Sequence, residues 1–219
     1  MIREQVRARI REIGIIPSIR VSSAEAALMA ADAVTASGIP ILEVPLTVPG
    51  AVEVIAALVR SDADLLVGAG SVWDMESAKR CVDAGAGFLT STGLDIEVLE
   101  YGLGVGVTML PGALTPSEIM RAWKSGADFV KIFPCEQMGG PGYVAALRLP
   151  FPQVPMIASG GVTLQNVGEF IRAGAVAVGV GGHLVPQKAI QMRQPQRIHE
   201  LARRFVEAVQ LARHPPEFK

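Results

Sequence analysis

The segment KSGADFVKI at residues 124–132 joins the end of a helix-like stretch, a glycine and a short apolar run that contains one lysine. The same order of features recurs in ASGIPILEV at 36–44, DAGAGFLTS at 83–91 and RAGAVAVGV at 172–180. A glycine in this place is typical of the left-handed residue that ends a helix. Each copy therefore predicts a helix that is followed directly by a strand.

Eight short apolar runs, each bounded by Gly or Pro, are candidate strands between Ala-rich helical stretches. They are residues 15–21, 40–46, 65–70, 88–92, 105–112, 129–134, 155–161 and 177–182. Strands that alternate with helices pair in parallel through right-handed crossovers. The pattern predicts an α/β fold, a single-domain (β/α)8 TIM barrel over residues 1–219 with an N-terminal helix at 2–13. A doubly wound parallel sheet is the alternative.

N-cap signals predict where several of the helices begin. Residues 22–25 and 115–118 have the spacing of a capping box, and Pro116 suits the first helical position of the second one. Further N-cap candidates are Asp95 and Thr163.

The composition excludes several classes of protein. Hydrophobic residues make up 50% of the chain and charged residues 19%, and the formal net charge is −1. Such a chain is too apolar to be disordered, and it lacks the basic surface that nucleic acid or an anionic membrane would attract. The N-terminal residues form no apolar signal core, so we expect a cytoplasmic protein.

Cysteine and histidine are too few and too scattered to indicate a cofactor-holding framework. The two Cys cannot form a disulfide framework or a metal quartet, and the three His have no paired metal-ligand spacing. The cysteines are Cys81 and Cys135, and the histidines are His183, His199 and His214. We therefore expect no metal and no bound cofactor.

Lys131 and Glu43 are the two charged residues that interrupt apolar strands. Alternation along 129–133 places Lys131 on the face opposite Val130, which points it into the barrel. Burial favours the neutral amine, as a Schiff-base nucleophile requires. Glu43 is its natural partner, because a carboxyl in a closed mouth can have a raised pKa and shuttle protons. A structural ion pair without chemistry is the alternative for both residues.

Glycine pairs at the ends of the last two strands suggest a phosphate site. In barrels the loops after strands seven and eight often hold a phosphate with backbone N–H groups. The candidates are Ser159, Gly160, Gly161, Gly181 and Gly182. Glycine needed only for close packing is the alternative.

Active sites of such barrels lie at the carboxyl ends of the strands, where further polar residues are expected. These residues are Arg20, Thr47, Ser71, Thr92 and His183. Arg20 suits a carboxylate or another anion, although a surface role is equally consistent with its spacing. His183 could contact a ligand at the mouth, and a loop histidine without a role is the alternative. Cys135 follows the lysine strand closely and has no evident activating neighbour in the sequence.

The ordered motifs Glu-Val-Pro-Leu (43–46), Gly-Ala-Gly-Ser (68–71), Lys-Ile-Phe-Pro (131–134) and Ser-Gly-Gly-Val (159–162) resemble the 2-keto-3-deoxy-6-phosphogluconate (KDPG) aldolase family. That family includes 4-hydroxy-2-oxoglutarate (KHG) aldolases and 2-keto-3-deoxy-6-phosphogalactonate (KDPGal) aldolases. The resemblance extends over about residues 14–186.

The resemblance implies a metal-free class I aldolase, a homotrimer that cleaves a phosphorylated keto-deoxy sugar acid to pyruvate and glyceraldehyde 3-phosphate. Lys131 matches the Schiff-base lysine and Glu43 the general acid and base. Ser71 and Ser159 stand where the family usually has Thr. Arg20 matches an Arg of the galactonate branch. The four glycines named above match the phosphate loops.

Three positions depart from the family pattern and put the substrate in question. Thr47 stands where the gluconate branch has a substrate-binding Arg. Thr92 replaces a common Pro, and Gly182-His183 replaces a Ser of the last phosphate loop. The alternatives are a KHG aldolase, a phosphate-binding isomerase or thiamine-phosphate-synthase-like transferase, and a non-catalytic sugar-phosphate binder.

Overall fold

The computed structural model describes residues 1–214 and contains parallel strands that alternate with helices. The strands are β1 (Ile15–Pro17), β2 (Ile41–Pro45), β3 (Leu66–Gly70), β4 (Phe88–Thr90), β5 (Thr108–Leu110), β6 (Gly112–Ala113), β7 (Val130–Ile132), β8 (Met156–Ser159) and β9 (Ala177–Val180). The helices are α1 (Arg3–Ile13), α2 (Ala24–Thr35), α3 (Ala51–Ser61), α4 (Met75–Asp83), α5 (Ile96–Gly104), α6 (Pro116–Lys124), α7 (Gly140–Arg148), α8 (Val167–Arg172), α9 (Gln187–Gln191) and α10 (Pro195–Arg213). A short 3-10 helix spans Glu136–Met138.

The strands form two hydrogen-bonded sheets that meet at two seams. One sheet has the order β1-β9-β8-β7-β6 and the other β2-β3-β4-β5. A parallel bridge between Ser18 and Glu43 joins β1 to β2. At the other seam only Pro111 separates β5 from β6, and the two together occupy the position of one predicted strand. Because the last strand pairs with the first, the alternative of a doubly wound sheet is wrong, and the predicted α/β fold with eight strand positions is confirmed.

The predicted helix ends and most helix starts are where the sequence indicates them. The glycines that end the four repeated segments, Gly38, Gly85, Gly126 and Gly174, have φ angles of 91°, 93°, 91° and 102°. A capping box closes on Thr115, and the Asp95 side chain caps α5.

Two cap predictions are wrong. Ser23 rather than Ser22 caps α2, with its hydroxyl accepting from the Ala26 N–H. Thr163 and Asn166 instead exchange hydrogen bonds in a turn, and α8 begins only at residue 167.

Small residues inside β3 make room for larger side chains of the neighbouring strands. A Cβ at Gly68 would overlap the Phe88 ring, and a Cβ at Gly70 would overlap the Glu43 carboxyl. The glycines of β3 therefore let the barrel interior hold both an aromatic ring and a carboxylate.

The amino-terminal end of the barrel is covered by α1, which is held by a buried carboxylate. Asp128 is 3% exposed and accepts two hydrogen bonds from the Arg3 guanidinium, at 2.9 and 3.0 Å. The Met109 N–H donates to the same carboxylate at 2.9 Å. Among the helices of residues 1–214, none has both the length and the apolar character needed to span a bilayer.

Candidate active site

A cavity of about 220 Å³ lies at the carboxyl ends of the strands. Nine of the eleven catalytic and substrate-binding residues predicted from the sequence line it: Arg20, Glu43, Thr92, Lys131, Ser159, Gly160, Gly161, Gly181 and Gly182. We call it the central cavity. Its position is the one at which (β/α)8 barrels hold their active sites.

Lys131 is a buried lysine that nevertheless faces open space. It sits in the middle of β7, is 8% exposed, and lines the central cavity. Its Nζ lies 3.6 Å from Glu43 Oε2 and 5.7 Å from the centre of the Phe133 ring. A purely structural ion pair does not require a cavity in front of the lysine amine. The cavity therefore favours a role for Lys131 in binding a ligand.

Glu43 is held as a carboxylate by several donors. Burial opposes its ionisation, but the Lys131 charge, the Thr90 and Ser18 hydroxyls and the more distant Arg20 together hold the pKa of the carboxyl below its ordinary value. The raised pKa that the sequence suggests is therefore wrong. The reason is the Lys131 charge together with the hydroxyls of Thr90 and Ser18, which the sequence of β2 alone does not reveal.

Thr90 and Ser18 are site residues that the sequence analysis missed. The Thr90 hydroxyl donates to Glu43 Oε2 at 2.6 Å and accepts from Lys131 Nζ at 3.3 Å. Ser18 Oγ donates to Glu43 Oε1 at 2.8 Å. Each lies two residues before a predicted site residue, Thr92 or Arg20, and alternation alone could have identified them.

The glycines of the two loops fall into two classes. Gly160 and Gly161 have φ angles of 87° and 82°, and a Cβ at Gly160 would lie 3.0 Å from Pro134 Cα. These two glycines have a packing reason. Gly182 has nothing within 4 Å of such a Cβ, and Gly181 only the Ser18 carbonyl oxygen at 3.9 Å. Close packing therefore explains why residues 160 and 161 are glycine. It does not explain Gly181 and Gly182, which border open space beside the cavity.

Two cationic or titratable side chains stand at the rim of the central cavity. Arg20 and His183 both line it and are exposed. An anionic end of a ligand that reaches the rim would meet the Arg20 guanidinium, which suits carboxylate and phosphate oxygens.

Thr47 and Ser71 are the two predicted residues that the structure does not bring to the central cavity. Thr47 is exposed in the turn that follows β2. Ser71 is buried directly after β3 with a φ of 58°, a left-handed conformation that turns the chain at the end of the strand.

Neither cysteine has the environment of a reactive thiol. Burial raises the pKa of Cys135 to about 12 and that of Cys81 to about 11. Within residues 1–214, no three His, Cys, Asp or Glu side chains come together as a potential metal-ligand group.

The arrangement is suited to proton transfer around an amine. Lys131, Thr90 and Glu43 form a continuous donor and acceptor chain, and all three are at most 8% exposed. A ligand carbonyl in the central cavity would lie beside both an amine and a carboxylate.

Comparison with known proteins identifies a family that most of this chain matches. The model for the KDPG and KHG aldolases matches residues 6–201. A 2-dehydro-3-deoxy-phosphogluconate aldolase of Treponema pallidum is 32% identical over 200 residues, which are 91% of this chain and 95% of that protein.

Solved structures agree with this match. A KDPG aldolase from Legionella pneumophila, with pyruvate captured as a covalent carbinolamine, has a TM-score of 0.84 at 33% identity, over 90% of this chain and 96% of that one. A native KDPGal structure has a TM-score of 0.83 at 31% identity, over 90% and 95%.

Proposed function

The chain belongs to the KDPG and KHG aldolase family, as its motifs predict, and from this premise we propose that Lys131 is the Schiff-base nucleophile of a class I aldolase. The buried Lys131–Thr90–Glu43 chain in the wall of an open cavity is the observation that carries the proposal. The solved relative that holds a pyruvate carbinolamine supports the same chemistry.

The substrate we propose is a 2-keto-3-deoxy-6-phospho sugar acid of the gluconate or galactonate type. The Lys131 amine attacks the C2 ketone, and loss of water leaves a protonated imine. Glu43, directly or through water, takes the proton of the C4 hydroxyl. The C3–C4 bond then breaks, its electrons pass to the imine, and glyceraldehyde 3-phosphate leaves. Glu43 returns the proton to C3 of the enamine, and hydrolysis releases pyruvate and the free amine.

Glu43 and Thr90 have distinct parts in this cycle. The lowered pKa of Glu43 keeps it ionised and ready to accept a proton at neutral pH. Thr90 accepts from Lys131 and donates to Glu43, so a proton can pass between the amine and the carboxylate through the hydroxyl. Arg20 and the Gly181–Gly182 backbone are the groups available to the anionic end of the substrate.

Cleavage of 4-hydroxy-2-oxoglutarate to pyruvate and glyoxylate is the second candidate activity. The matching family model covers both aldolases. The central cavity of about 220 Å³ is below the ~300–1,000 Å³ that is usual for small-molecule sites, which favours a small substrate.

Borohydride trapping tests the nucleophile. Reduction in the presence of pyruvate is expected to add a pyruvate-derived mass to the peptide that carries Lys131. Lys131→Ala should lose the adduct, and Lys79→Ala, at an exposed lysine, should keep it. An adduct on another residue, or none on the folded wild type, would contradict the proposal.

A coupled assay of pyruvate release tests the substrate, with the gluconate, galactonate and glutarate compounds compared under the same conditions. Release from none of the three would overturn the proposed activity.

The homotrimer stays a prediction that the resemblance alone carries, and a monomer mass by light scattering would contradict it.

A further inference from the structure

The two oxygens of the Glu43 carboxylate have different hydroxyl partners. Thr90 donates to Oε2 at 2.6 Å, and Ser18 donates to Oε1 at 2.8 Å. The two hydroxyls come from opposite sides of β2, because Thr90 belongs to β4 and Ser18 directly follows β1. The carboxylate can therefore exchange protons at two separate atoms.

The two hydroxyls differ in what their oxygens accept. Thr90 Oγ1 accepts from Lys131 Nζ at 3.3 Å, and Thr90 is 2% exposed. Ser18 is half-buried and lines the central cavity, and within residues 1–214 no protein group donates to its hydroxyl oxygen. A serine hydroxyl has one hydrogen to donate and two lone pairs that accept. The Thr90 hydroxyl thus connects Glu43 to the lysine, whereas the Ser18 hydroxyl connects Glu43 to the cavity.

The backbone fixes the position of the Ser18 hydroxyl. The Ser18 N–H donates to the Val180 carbonyl at 2.8 Å. The next N–H, of Ile19, donates to the Glu43 carbonyl at 2.8 Å. Ser18 and Arg20 are two residues apart and both line the central cavity, as alternation along the chain predicts. Ser18 is therefore held where its hydroxyl contacts the carboxylate and borders the cavity.

We propose that Ser18 is a further catalytic residue, which carries the proton of the substrate C4 hydroxyl to Glu43. The Ser18 oxygen accepts that proton while its own hydrogen passes to Glu43 Oε1, so the serine is unchanged and the carboxylate is protonated. The C4 oxygen becomes the aldehyde oxygen as the C3–C4 bond breaks, and the electrons of that bond pass to the imine of Lys131. The inference rests on the proposed aldolase activity, and it assigns to one side chain a proton transfer that water could otherwise perform.

Two reactions of the same enzyme separate this step from the chemistry of the amine. Exchange of the pyruvate methyl protons with deuterium oxide, measured by NMR, requires an imine and proton removal from C3, but no C4 hydroxyl. Cleavage of the keto-deoxy acid that wild type uses best also requires removal of the C4 hydroxyl proton. Ser18→Ala should lower kcat for cleavage about 10- to 100-fold and keep the exchange rate within about twofold. Thr90→Val should lower both rates, because Thr90 lies between the carboxylate and the lysine.

A matched control and a second variant accompany the test. Ser37→Ala removes another half-buried serine hydroxyl, which donates to the Val34 carbonyl outside the central cavity, and should change neither rate. Ser18→Gly also lacks the hydroxyl and should repeat the pattern of Ser18→Ala. Both rates are measured from about pH 6 to about pH 9, because loss of a donor to Glu43 also raises the pKa of its carboxyl.

The outcomes distinguish this inference from the proposed activity. Wild type that shows neither exchange nor cleavage would count against the aldolase itself. Active wild type, with both Ser18 variants within about twofold of it in cleavage, would overturn the role of Ser18 alone. An equal fall of exchange and cleavage in the Ser18 variants would also overturn it, since the serine would then only position the carboxylate. So would recovery of cleavage at high pH, because the pKa of Glu43 would then explain the whole effect.

Discussion

At the scale of single residues, the site depends on how one carboxylate is held. Glu43 is 6% exposed and accepts from two hydroxyls while it faces one ammonium. A carboxylate buried to this extent stays ionised only when such partners offset the loss of water. The same partners orient the Glu43 carboxylate towards the lysine. The contacts that keep the carboxylate ionised therefore also position it for proton transfer.

Thr90→Val is expected to lower kcat about 10- to 100-fold, because the hydroxyl that links Lys131 to Glu43 is lost while the shape is kept. Steady-state pyruvate release measures the effect. Thr108→Val is the matched control, since Thr108 is also a buried strand threonine but lies at the opposite end of the barrel, where its hydroxyl donates to the Arg3 carbonyl. A kcat for Thr90→Val within twofold of wild type would remove Thr90 from the mechanism.

The strands that carry the site can be predicted from the sequence more reliably than the individual site residues on each strand. Lys131 and Glu43 are predictable because a charge inside an apolar strand is rare. Thr90 and Ser18 are neutral and short, so they do not stand out in an apolar run, and only alternation from Thr92 and Arg20 points to them. Thr47 is misplaced because β2 already ends at Pro45, and Thr47 is exposed in the turn that follows.

At the scale of elements, the periodic features are the predictable ones. All eight apolar runs contain a strand position, because burial on both faces selects short apolar segments bounded by breakers. Caps are less predictable where two candidates are adjacent. Ser22 and Ser23 are both good N-cap residues, so residue type alone does not decide between them. Thr163 caps a turn and not the helix itself, because its hydroxyl accepts from the Asn166 N–H while α8 begins only at residue 167.

Asp128→Asn should destabilise the fold by about 1–3 kcal/mol, because α1 loses the charge that holds Arg3 and the buried site loses part of its hydrogen bonding. Urea unfolding followed by circular dichroism measures the change. Glu207→Gln removes one partner of an exposed pair on α10, whose side chains are 62% and 58% exposed, and should change stability by less than about 0.5 kcal/mol. Equal effects of the two substitutions would show that Asp128 does not hold α1.

At the scale of the whole molecule, the two sheets raise the question of whether they unfold together. Four strands pair in one sheet and five in the other. Between β1 and β2, the two sheets are joined by the Ser18–Glu43 bridge. There the Ile19 N–H donates to the Glu43 carbonyl. The Lys131–Glu43 pair spans the same division, because Glu43 is on β2 and Lys131 on β7. The Lys131–Glu43 pair is therefore assembled only when both sheets are in place.

The two cysteines report on this division, since Cys81 is in α4, next to the four-stranded sheet, and Cys135 follows β7 of the five-stranded one. Both are fully buried, and burial raises the pKa of each thiol, to about 11 and about 12. Neither should react with iodoacetamide at pH 8 in the native protein, because almost no thiolate is present and no route leads to it.

If the barrel is one cooperative domain, both thiols should become reactive in the same urea transition, at the midpoint that circular dichroism gives. Peptide mapping by mass spectrometry after a short labelling pulse measures the two sites separately in one sample. The single variants Cys81→Ser and Cys135→Ser control for any effect of one label on the other. Labelling of one cysteine at a clearly lower urea concentration would mean that its sheet opens first. The Lys131–Glu43 pair would then be lost before the molecule unfolds, and activity should disappear at that lower concentration.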